Sequence, residues 1–445
     1  MTASTQTKQR TSSDKPVKKY QYTKTRGKVA LIKPCTDPVA WAARRKKEKP
    51  PPGGFPKPPS HWPKGVRVDV GRPVYWLPQG WGQGIKTTCI ARLVAFVSPE
   101  GKCCYHRYRV EEMLGRKLGP DDNLGSAKEW AKTQIQAGKD WRGQQVKFDG
   151  QGKLFAQLSS RQRQHLVQSE KFHFAVISAR RSGDIGGLRG IVRVESQIRA
   201  CGVQPTWYVD DASVDAYREL GLKVVVGGKL VPARNKALDD AEKLEKVCVQ
   251  VSDDISRWSY YVGSEELSLG LFAGNKLLAG NQAAKEADRL RISPVMAAQF
   301  ILAKMRGVAD GEPQPRLGGV FPLGNVGMSF GVGAIATEHF ILGDFFVQDL
   351  GSKCHFDPRF SLKEDYDFTC SHLDAHGAVM RCNRMFIVAV HETNAGGACS
   401  ERDDSGEKER ENIRILQEKW PGVFSLNGRR GDGSTQVTMA WRRRR

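Results

Sequence analysis

Several features that identify common classes of protein are missing from this sequence. It has no uninterrupted run of about 18 apolar residues, so no transmembrane helix is predicted. The opening MTASTQTKQR has no apolar core, and a secretory signal is therefore not expected. None of the ten cysteines forms a Cys-x-x-Cys pair, which argues against a zinc ribbon and favours reduced thiols in the cytosol or nucleus.

Acidic residues are scarce relative to basic ones. The chain has 70 Lys and Arg against 48 Asp and Glu, which gives a formal net charge of +22 at pH 7. The imbalance is steepest at the Pro-rich start, where the first 70 residues hold 17 basic and four acidic side chains. We predict that residues 1–69 are a disordered basic tail, suited to phosphate contact or nuclear import, or else merely solubilising. The charge indicates a polyanionic partner, most simply DNA, and a nuclear location.

Residues 70–136 predict a small α+β module. LPQGW (77–81) is typical of a turn entering a strand, Arg92–Val97 of a strand, and SPEGK of a turn built on Pro and Gly. CCYHRY predicts a further strand, and RVEEMLG (109–115) a short helix that stops at Gly. Two strands, a turn and a helix with basic side chains suit a reader of the DNA major groove, or else a structural β-module.

The stretches LPQGW, VAFVSPEGK and RVEEMLG resemble the methyl-CpG-binding domain and its wider DNA-binding superfamily. The resemblance implies binding to duplex DNA. Arg107 stands for the second of the family's two base-reading arginines, whereas GQGIKTTCIAR has no obvious counterpart of the family's tyrosine or aspartate. Residues 137–170 follow as a polar connector, in which DGQG predicts a hairpin.

Residues 171–441 alternate the patterns of buried strands and of helices. Strands are predicted at 172–177, 206–211, 222–228 and 247–251, with helices at 185–201, 213–221 and from about Pro232. This alternation indicates βαβ units and a mostly parallel sheet flanked by helices, which is an α/β fold. No Gly-x-Gly-x-x-Gly and no Gly-Lys-Ser/Thr follows the first strand, so a Rossmann dehydrogenase and a P-loop enzyme are disfavoured.

The strand VCVQV (247–251) leads into two adjacent carboxylates, Asp253 and Asp254. Ligands of open α/β sheets bind at the carboxyl ends of the strands, where this pair is expected. Adjacent carboxylates repel each other unless a divalent cation lies between them and a polyphosphate, so both are candidate metal ligands. The alternative is a solvated Asp-Asp turn.

Other segments add groups of complementary chemistry. After Ser178 comes a basic strand end, Ala179-Arg180-Arg181, which suits contact with a diphosphate or a base. Arg234 and Asn235 lie at the start of a helix, whose N-terminus attracts anions; the alternative for Arg234 is a surface arginine. GGVFPLGNVG (318–327) indicates close approach of the backbone to a ligand, or an ordinary loop.

Two later segments supply a candidate base and a candidate third metal ligand. In SLKEDYDFT, Glu364 or Asp365 is a candidate general base, or else caps a helix. In HETNAGG, His391 is a candidate metal ligand, or else a buried histidine at a strand end.

Five stretches, in this order, resemble a GT-A nucleotide-sugar glycosyltransferase: LVPARNKALDDA, VQVSDDI, GGVFPLGNVGMS, LKEDYDFT with GAVMRCNR, and HETNAGG. Within that class the chain most resembles the glycosyltransferases associated with the TET/JBP base hydroxylases. The resemblance implies Mn²⁺ or Mg²⁺, a UDP-sugar as donor and a hydroxymethylated nucleobase as acceptor.

The resemblance also implies roles for individual residues. Asp253, Asp254 and His391 would hold the cation against the donor diphosphate, and Asp253 would alternatively touch the ribose. Asp365 or Glu364 would take the proton of the acceptor hydroxyl. The residues expected to bind the nucleotide are Ser178, Arg180, Arg234 and Asn235.

We therefore expect a metal-dependent hexosyltransferase that moves glucose from UDP-glucose to a hydroxymethylated base in DNA. Three alternatives stay open at this point. They are a protein O-glycosyltransferase acting on chromatin proteins, a non-catalytic DNA-binding protein, and a Mg²⁺-dependent nucleotidyltransferase. The sequence leaves the oligomeric state undetermined.

Overall fold

A computed structural model describes the chain from residue 56 to residue 444 with several gaps. The described ranges are 56–69, 74, 76–78, 80–87, 92–118, 124–140, 143–149, 151–263, 276–322, 324, 326–389, 405–428 and 433–444. Most of the predicted basic tail and all of HETNAGG, with His391, lie outside these ranges. In the described part of the chain, no helix has the length and apolar character needed to cross a membrane.

The strands of the described ranges are β1 Val66–Val68, β2 Gly82–Thr87, β3 Arg92–Val97, β4 Cys103–Cys104, β5 Phe172–Ile177, β6 Thr206–Val209, β7 Lys223–Val226, β8 Val247–Ser252, β9 Ile255–Val262, β10 Asp288–Ile292, β11 Leu317–Val320, β12 Ile335–Ala336, β13 Phe345–Gln348, β14 Met380–Cys382, β15 Met385–Ala389, β16 Phe424–Leu426 and β17 Val437–Met439. The α-helices are α1 Arg107–Leu114, α2 Leu124–Ala137, α3 Lys153–Ala156, α4 Ser160–Arg163, α5 Ile185–Arg199, α6 Val214–Glu219, α7 Leu230–Lys243, α8 Lys276–Glu286, α9 Pro294–Arg306, α10 Val326–Phe330, α11 Glu364–His376 and α12 Glu407–Lys419.

The largest sheet has eight strands in the order β12-β14-β11-β13-β8-β5-β6-β7. The pairs β7-β6, β6-β5, β5-β8 and β11-β14 are parallel, whereas β8-β13, β13-β11 and β14-β12 are antiparallel. The α/β class predicted from the alternating pattern is confirmed, with helices flanking a sheet that is mixed. The predicted strands β5, β6 and β8 are present because their continuous apolar runs are buried by helices on both faces. The predicted strand β7 forms the edge of the sheet, and its residues are only partly buried or exposed.

The two faces of this sheet have separate cores. On one face, side chains such as Phe174 and Val249 pack with α5 and α9, whose own members include Ile191 and Phe300. On the other face, α7 and α11 pack against Phe346 and neighbouring strand residues. The sheet is therefore the middle layer of three.

The small module is a four-stranded antiparallel sheet, β1-β2-β3-β4, with α1 beside it. Its first strand, Val66–Val68, pairs with β2 and lies within residues 1–69, the segment interpreted as tail. The predicted CCYHRY strand is only two residues long, because α1 begins earlier than expected, at Arg107. An ion pair between Arg107 and Glu111, one turn apart, favours this earlier start.

The segment between the module and β5 packs on the large domain. Ala127, Ala131 and Ile135 of α2 are buried in the same core as β5 and α5, and Leu154 of α3 joins them. The DGQG hairpin is wrong: the chain turns into α3, and the side chain of Asp149 accepts a hydrogen bond from the Leu154 N–H at 3.1 Å. Residues 124–158 therefore extend the large domain rather than connect two units.

The glycine-rich stretch GGVFPLGNVG begins inside the sheet. Gly318 and Gly319 belong to β11 and are buried. A Cβ on Gly318 would lie 2.5 Å from both Ile301 Cγ2 and Met305 Sδ of α9, so this glycine lets the helix pack closely on the sheet. A Cβ on Gly319 would lie 2.7 Å from Ile341 Cγ2. At these two glycines the close approach is therefore made by side chains of the protein itself.

A second, three-stranded antiparallel sheet has the order β10-β9-β15. Its inner face, which includes Trp258, Tyr260 and Ile292, is buried in the core of the large domain. The apolar stretch Met385–Ala389, shortly before HETNAGG, is β15 of this sheet. Because β9 begins at Ile255, this sheet starts directly after Asp253 and Asp254.

Candidate active site

The predicted site residues lie at a reversal in the order of the large sheet. From β5 the chain proceeds outward through β6 and β7, and β8 then returns to the other side of β5. Ligands of open α/β sheets bind in the crevice that such a reversal opens at the carboxyl ends of the two strands. Ser178 follows β5, and Asp253 with Asp254 follows β8, so all three lie at this crevice.

Asp253 and Asp254 form the tight turn between β8 and β9. They are only 4% and 5% exposed, so the alternative of a solvated turn is wrong. Asp254 Oδ1 accepts a hydrogen bond from Ser252 Oγ at 2.9 Å. The carboxylates are therefore buried at the mouth of a central strand, where their repulsion costs free energy and has to be offset.

Both oxygens of Asp253 are engaged by donors of the protein. Ser178 Oγ donates to Oδ2 at 2.5 Å, and Arg181 Nε lies 3.2 Å from Oδ1 and 3.1 Å from Oδ2. Burial raises the pKa of Asp253, whereas Arg181 and Ser178 act in the opposite direction. The expected roles of Asp253, as metal ligand or ribose contact, stay predictions, but its contacts are those of a structural ion pair.

Sequence reasoning named Arg181 only as part of the basic strand end and missed its role. It begins a 3₁₀ turn after β5, is 8% exposed, and its backbone N–H donates to Tyr217 Oη at 3.1 Å. Its predicted neighbour Arg180 points elsewhere. Arg180 lies in the left-handed region with φ 61°, and its Nε is 3.0 Å from Asp210 Oδ2. Arg180 is largely exposed beside the crevice, so its predicted contact with the nucleotide stays a prediction.

Asp344 is a further carboxylate that sequence reasoning missed. It precedes β13, and its carbonyl accepts a hydrogen bond from the Ser252 N–H of β8 at 2.8 Å. Its negative charge contributes to raising the pKa of both Asp253 and Asp365. Asp344 therefore joins the two predicted carboxylate segments into one electrostatic cluster.

Glu364 and Asp365 open α11, yet the two side chains have different surroundings. Glu364 is 6% exposed, and its Oε1 lies 3.3 Å from Arg234 Nε. Asp365 Oδ2 accepts a hydrogen bond from the Gly343 N–H at 3.1 Å. Burial, assisted by the charge of Glu364, raises the pKa of Asp365 to about 7. A carboxyl group with this pKa can accept a proton near neutral pH, so Asp365 stays a candidate general base.

Arg234 and Asn235 connect α7 to neighbouring segments of the large domain. Arg234 is only 7% exposed, so the alternative of a surface arginine is wrong. Its Nη1 donates to Gln250 Oε1 at 3.1 Å and to the Gly343 carbonyl at 3.0 Å. The Asn235 side chain donates to the Phe356 carbonyl and accepts from the Phe356 N–H, both at 2.8 Å. Binding of the nucleotide by either residue stays a prediction, because these contacts occupy both side chains within the protein.

The carboxylates at the crevice fit a divalent cation only in part. Within the ranges that the structure describes, no three His, Cys, Asp or Glu side chains form a group that holds a metal ion. The third predicted ligand, His391, lies outside those ranges. Mg²⁺ is commonly bound by one or two carboxylates together with substrate phosphates and water. Asp254 at the crevice fits such a set, whereas Asp253 is already paired with Arg181.

Aromatic and basic side chains lie beside the start of α11, where Arg381 Nη1 is 3.5 Å from the Phe340 carbonyl. Phe340 stacks on Tyr366, the residue after Asp365, with ring centroids 4.1 Å apart. Arg381 of β14 is 8% exposed, donates to Asn383 Oδ1 at 2.8 Å, and no carboxylate of the described residues pairs with it. Burial lowers the pKa of Arg381 to about 10. Sequence reasoning missed this arginine, because its position inside the strand MRC gives no sign of its burial.

Comparisons of this chain with protein-family models, with curated proteins and with solved structures find no match.

Proposed function

We propose that the protein is a GT-A-like, metal-dependent glycosyltransferase that moves a hexose from a UDP-sugar to a hydroxymethylated base in DNA. Glucose is the expected sugar, and the nucleus the expected location. One observation carries the proposal. Two carboxylate segments more than 100 residues apart, Asp253–Asp254 and Glu364–Asp365, are joined through the short segment before β13. The Ser252 N–H, beside the first pair, donates to the Asp344 carbonyl at 2.8 Å, and the Gly343 N–H donates to Asp365 Oδ2 at 3.1 Å. This junction lies at the carboxyl end of β8, the edge at which ligands of α/β sheets bind.

The donor side of the site is the turn after β8. Asp254 supplies a carboxylate where the diphosphate of a UDP-sugar would lie, and His391 is the further proposed ligand. A bound Mn²⁺ or Mg²⁺ would neutralise the leaving diphosphate. Arg181 holds the neighbouring Asp253 in place, and Ser178 fixes the end of β5 to the same carboxylate. These contacts preorganise the turn before any ligand arrives.

The acceptor side is the start of α11. In the proposed reaction the acceptor oxygen bonds to the anomeric carbon, and the bond from that carbon to the phosphate oxygen breaks. UDP leaves with the electron pair, and Asp365 takes the acceptor proton. A carboxyl group with a pKa near 7 is a stronger base than an ordinary aspartate, which favours this transfer. Glu364 is held by Arg234 and supports Asp365 through its charge.

DNA as acceptor is supported by charge and by the small module. The net charge of +22 suits a polyanion, and the module has the strands, turn and helix on which the methyl-CpG-binding resemblance was based. Arg107, the proposed base reader, contacts Glu111 and lies over the Trp76 ring at 5.4 Å. Recognition of methylated bases by Arg107 would require these contacts to loosen.

The decisive experiment incubates the full chain with labelled UDP-glucose, Mn²⁺ and hydroxymethylated duplex DNA, followed by mass spectrometry of the nucleosides. We expect a glucosylated hydroxymethyl nucleoside from the wild type and none from Asp254→Ala. The matched control is Asp239→Ala, which removes an exposed carboxylate of α7 that contacts His355. A parallel reaction with nuclear extract tests protein acceptors.

Each outcome separates the competing functions. Label in nucleosides supports the proposal, and label only in protein favours a protein O-glycosyltransferase. Release of pyrophosphate from a nucleoside triphosphate would indicate a nucleotidyltransferase. DNA binding without transfer or donor hydrolysis, for every nucleotide sugar tried, would leave a non-catalytic DNA-binding protein.

A further inference from the structure

The outer face of the second sheet carries a row of three arginines: Arg257 on β9, and Arg289 and Arg291 on β10. Arg289 is directly opposite Tyr261, and Arg291 is directly opposite Ser259. Side chains of directly opposed residues share a face of the sheet, and residues two apart along a strand do so as well. The three arginines, called the arginine row below, therefore project from the face opposite the buried Trp258.

The three guanidinium groups are close enough to repel one another. Burial lowers the pKa of Arg257, and the charges of Arg289 and then Arg291 lower it further. Arg289 and Arg291 are exposed, while Arg257 is half-buried near the site. Three like charges on one face destabilise the free protein unless an anion offsets them.

The structure provides no such anion from the described residues. Arg289 lies over the Tyr261 ring at 5.8 Å, Arg291 lies over the Phe148 ring at 5.9 Å, and neither they nor Arg257 pairs with a described carboxylate. Three other exposed arginines differ in this respect, because they form ion pairs: Arg161 with Asp310, Arg414 with Glu411 and Glu418, and Arg442 with Glu338. A row of arginines that pair with no carboxylate of the described ranges, two of them beside aromatic rings, is suited to nucleic-acid phosphates.

The arginine row runs along β9, away from the candidate site. β9 begins at Ile255, next to Asp254, so Arg257 is the member of the row nearest the candidate site. From Arg257 to the level of Arg289, opposite Tyr261, is four residues, or about 13 Å along the strand. This length equals the axial rise of about four base pairs of DNA.

We propose that the arginine row binds the phosphate backbone of DNA and guides the acceptor strand along β9 to the candidate site. The guiding role rests on the proposed function, whereas the binding does not. It is a second DNA contact, on the large domain and separate from the small module. A membrane surface or an acidic protein would be attracted by charge as well, and the experiment includes a membrane arm.

The test compares two full-chain variants with the same change in charge. Arg257→Gln, Arg289→Gln and Arg291→Gln together remove the row, while the control combines Arg161→Gln, Arg414→Gln and Arg442→Gln. Both variants lower the formal net charge from +22 to +19. Binding to a labelled duplex of about 20 base pairs is measured by fluorescence anisotropy between 50 and 200 mM NaCl, with anionic phosphatidylserine vesicles as the second ligand.

If all three arginines contact phosphates, the row variant loses about 2.7 from the slope of log affinity against log salt. Between 50 and 200 mM NaCl, the factor by which DNA affinity falls should then be about 40 times larger for the wild type than for the row variant. The control variant should keep the wild-type slope. The single variant Arg289→Gln, at an exposed position, should lose about 0.9 and guards against misfolding of the triple variant.

Equal slopes for the row variant and the control would overturn the inference. So would loss of vesicle binding with DNA binding unchanged. Hydrolysis of the sugar donor, measured without DNA, separates this inference from the proposed function. A reduced salt slope with no transfer by the wild type would leave the DNA surface standing and refute the transferase.

Discussion

Replacing Asp253 by Asn tests whether the first carboxylate of the pair serves the fold rather than the cation. Asp253 and Arg181 are both buried, and the Arg181 Nε lies 3.1 Å from Asp253 Oδ2. Removing one partner of a buried ion pair leaves the other charge uncompensated, which costs about 3–5 kcal/mol of the free energy of unfolding. At 2–4 °C per kcal/mol for a domain of this class, the Tm should fall by roughly 10 °C.

A double variant separates the ion pair from other effects. In Arg181→Met with Asp253→Asn both charges are gone, and a neutral pair of similar volume is often no less stable than a buried ion pair. We therefore expect the double variant to recover about half or more of the lost stability. Recovery should be incomplete, because Arg181 also interacts with the charge of Asp254.

The assay is urea unfolding followed by tryptophan fluorescence, since Trp207 and Trp258 are fully buried in the large domain. Asp239→Asn, at an exposed position, is the control. The reasoning would be refuted if Asp253→Asn unfolded within about 1 kcal/mol of the wild type while losing Mn²⁺ affinity and transfer. Asp253 would then act as a cation ligand and its bond to Arg181 would be incidental.

Other consequences concern the acceptor side and the domain boundary. Because Asp365 must be deprotonated to act as a base, log kcat/KM should rise with pH and level off near pH 7. Glu364→Gln removes a like charge, so the rising part of this pH profile should move down by about one pH unit. If the profile of Glu364→Gln does not move, Asp365 is not the base. A carboxyl pKa raised by folding costs stability as the pH rises through the interval between its unfolded value of about 4 and its folded value of about 7. Asp365→Asn should therefore raise the Tm at pH 8 but not at pH 4, as differential scanning calorimetry at the two pH values would show. Gly343→Ala places a methyl group 2.9 Å from Arg234 Nη2 and 3.1 Å from Asp365 Cβ. Sugar transfer should therefore fall about tenfold or more, with a smaller loss of donor hydrolysis. Equal losses in the two assays would contradict this prediction. Deleting residues 1–118 should leave the Tm of the large domain unchanged. Deleting residues 1–140 also removes α2 and should lower the free energy of unfolding of the large domain by about 3 kcal/mol. Thermal unfolding of both truncated chains measures the difference.

Strands and helices of the first half of the large domain were predicted well because they depend on local pattern. Phe172–Ile177 and the strand from Val247 are runs buried on both faces, and such runs are readable without knowing their neighbours. The carboxylates that end the second run were predicted to lie at the ligand-binding edge for the same reason.

The second half of the sheet was harder to predict. β13 is antiparallel and lies between β8 and β11, which are far apart in sequence. Nothing local in LGDFFVQD shows that this strand runs the other way, and its direction is what brings Asp344 to the carboxyl edge. The burial of Arg381 and the pairing of Arg181 with Asp253 likewise depend on neighbours distant in sequence.

By itself, the sequence determined the basic character of the chain, the α/β class and the residues around which a site would form, because composition and hydrophobic pattern are local properties. Only the tertiary structure decided which carboxylate of each adjacent pair, Asp253–Asp254 and Glu364–Asp365, forms an ion pair with a buried arginine. Asp253 is paired with Arg181, and Glu364 with Arg234, while Asp365 has a raised pKa. Adjacent carboxylates look alike in a sequence, and their charges are distinguished only by what the fold packs against each of them.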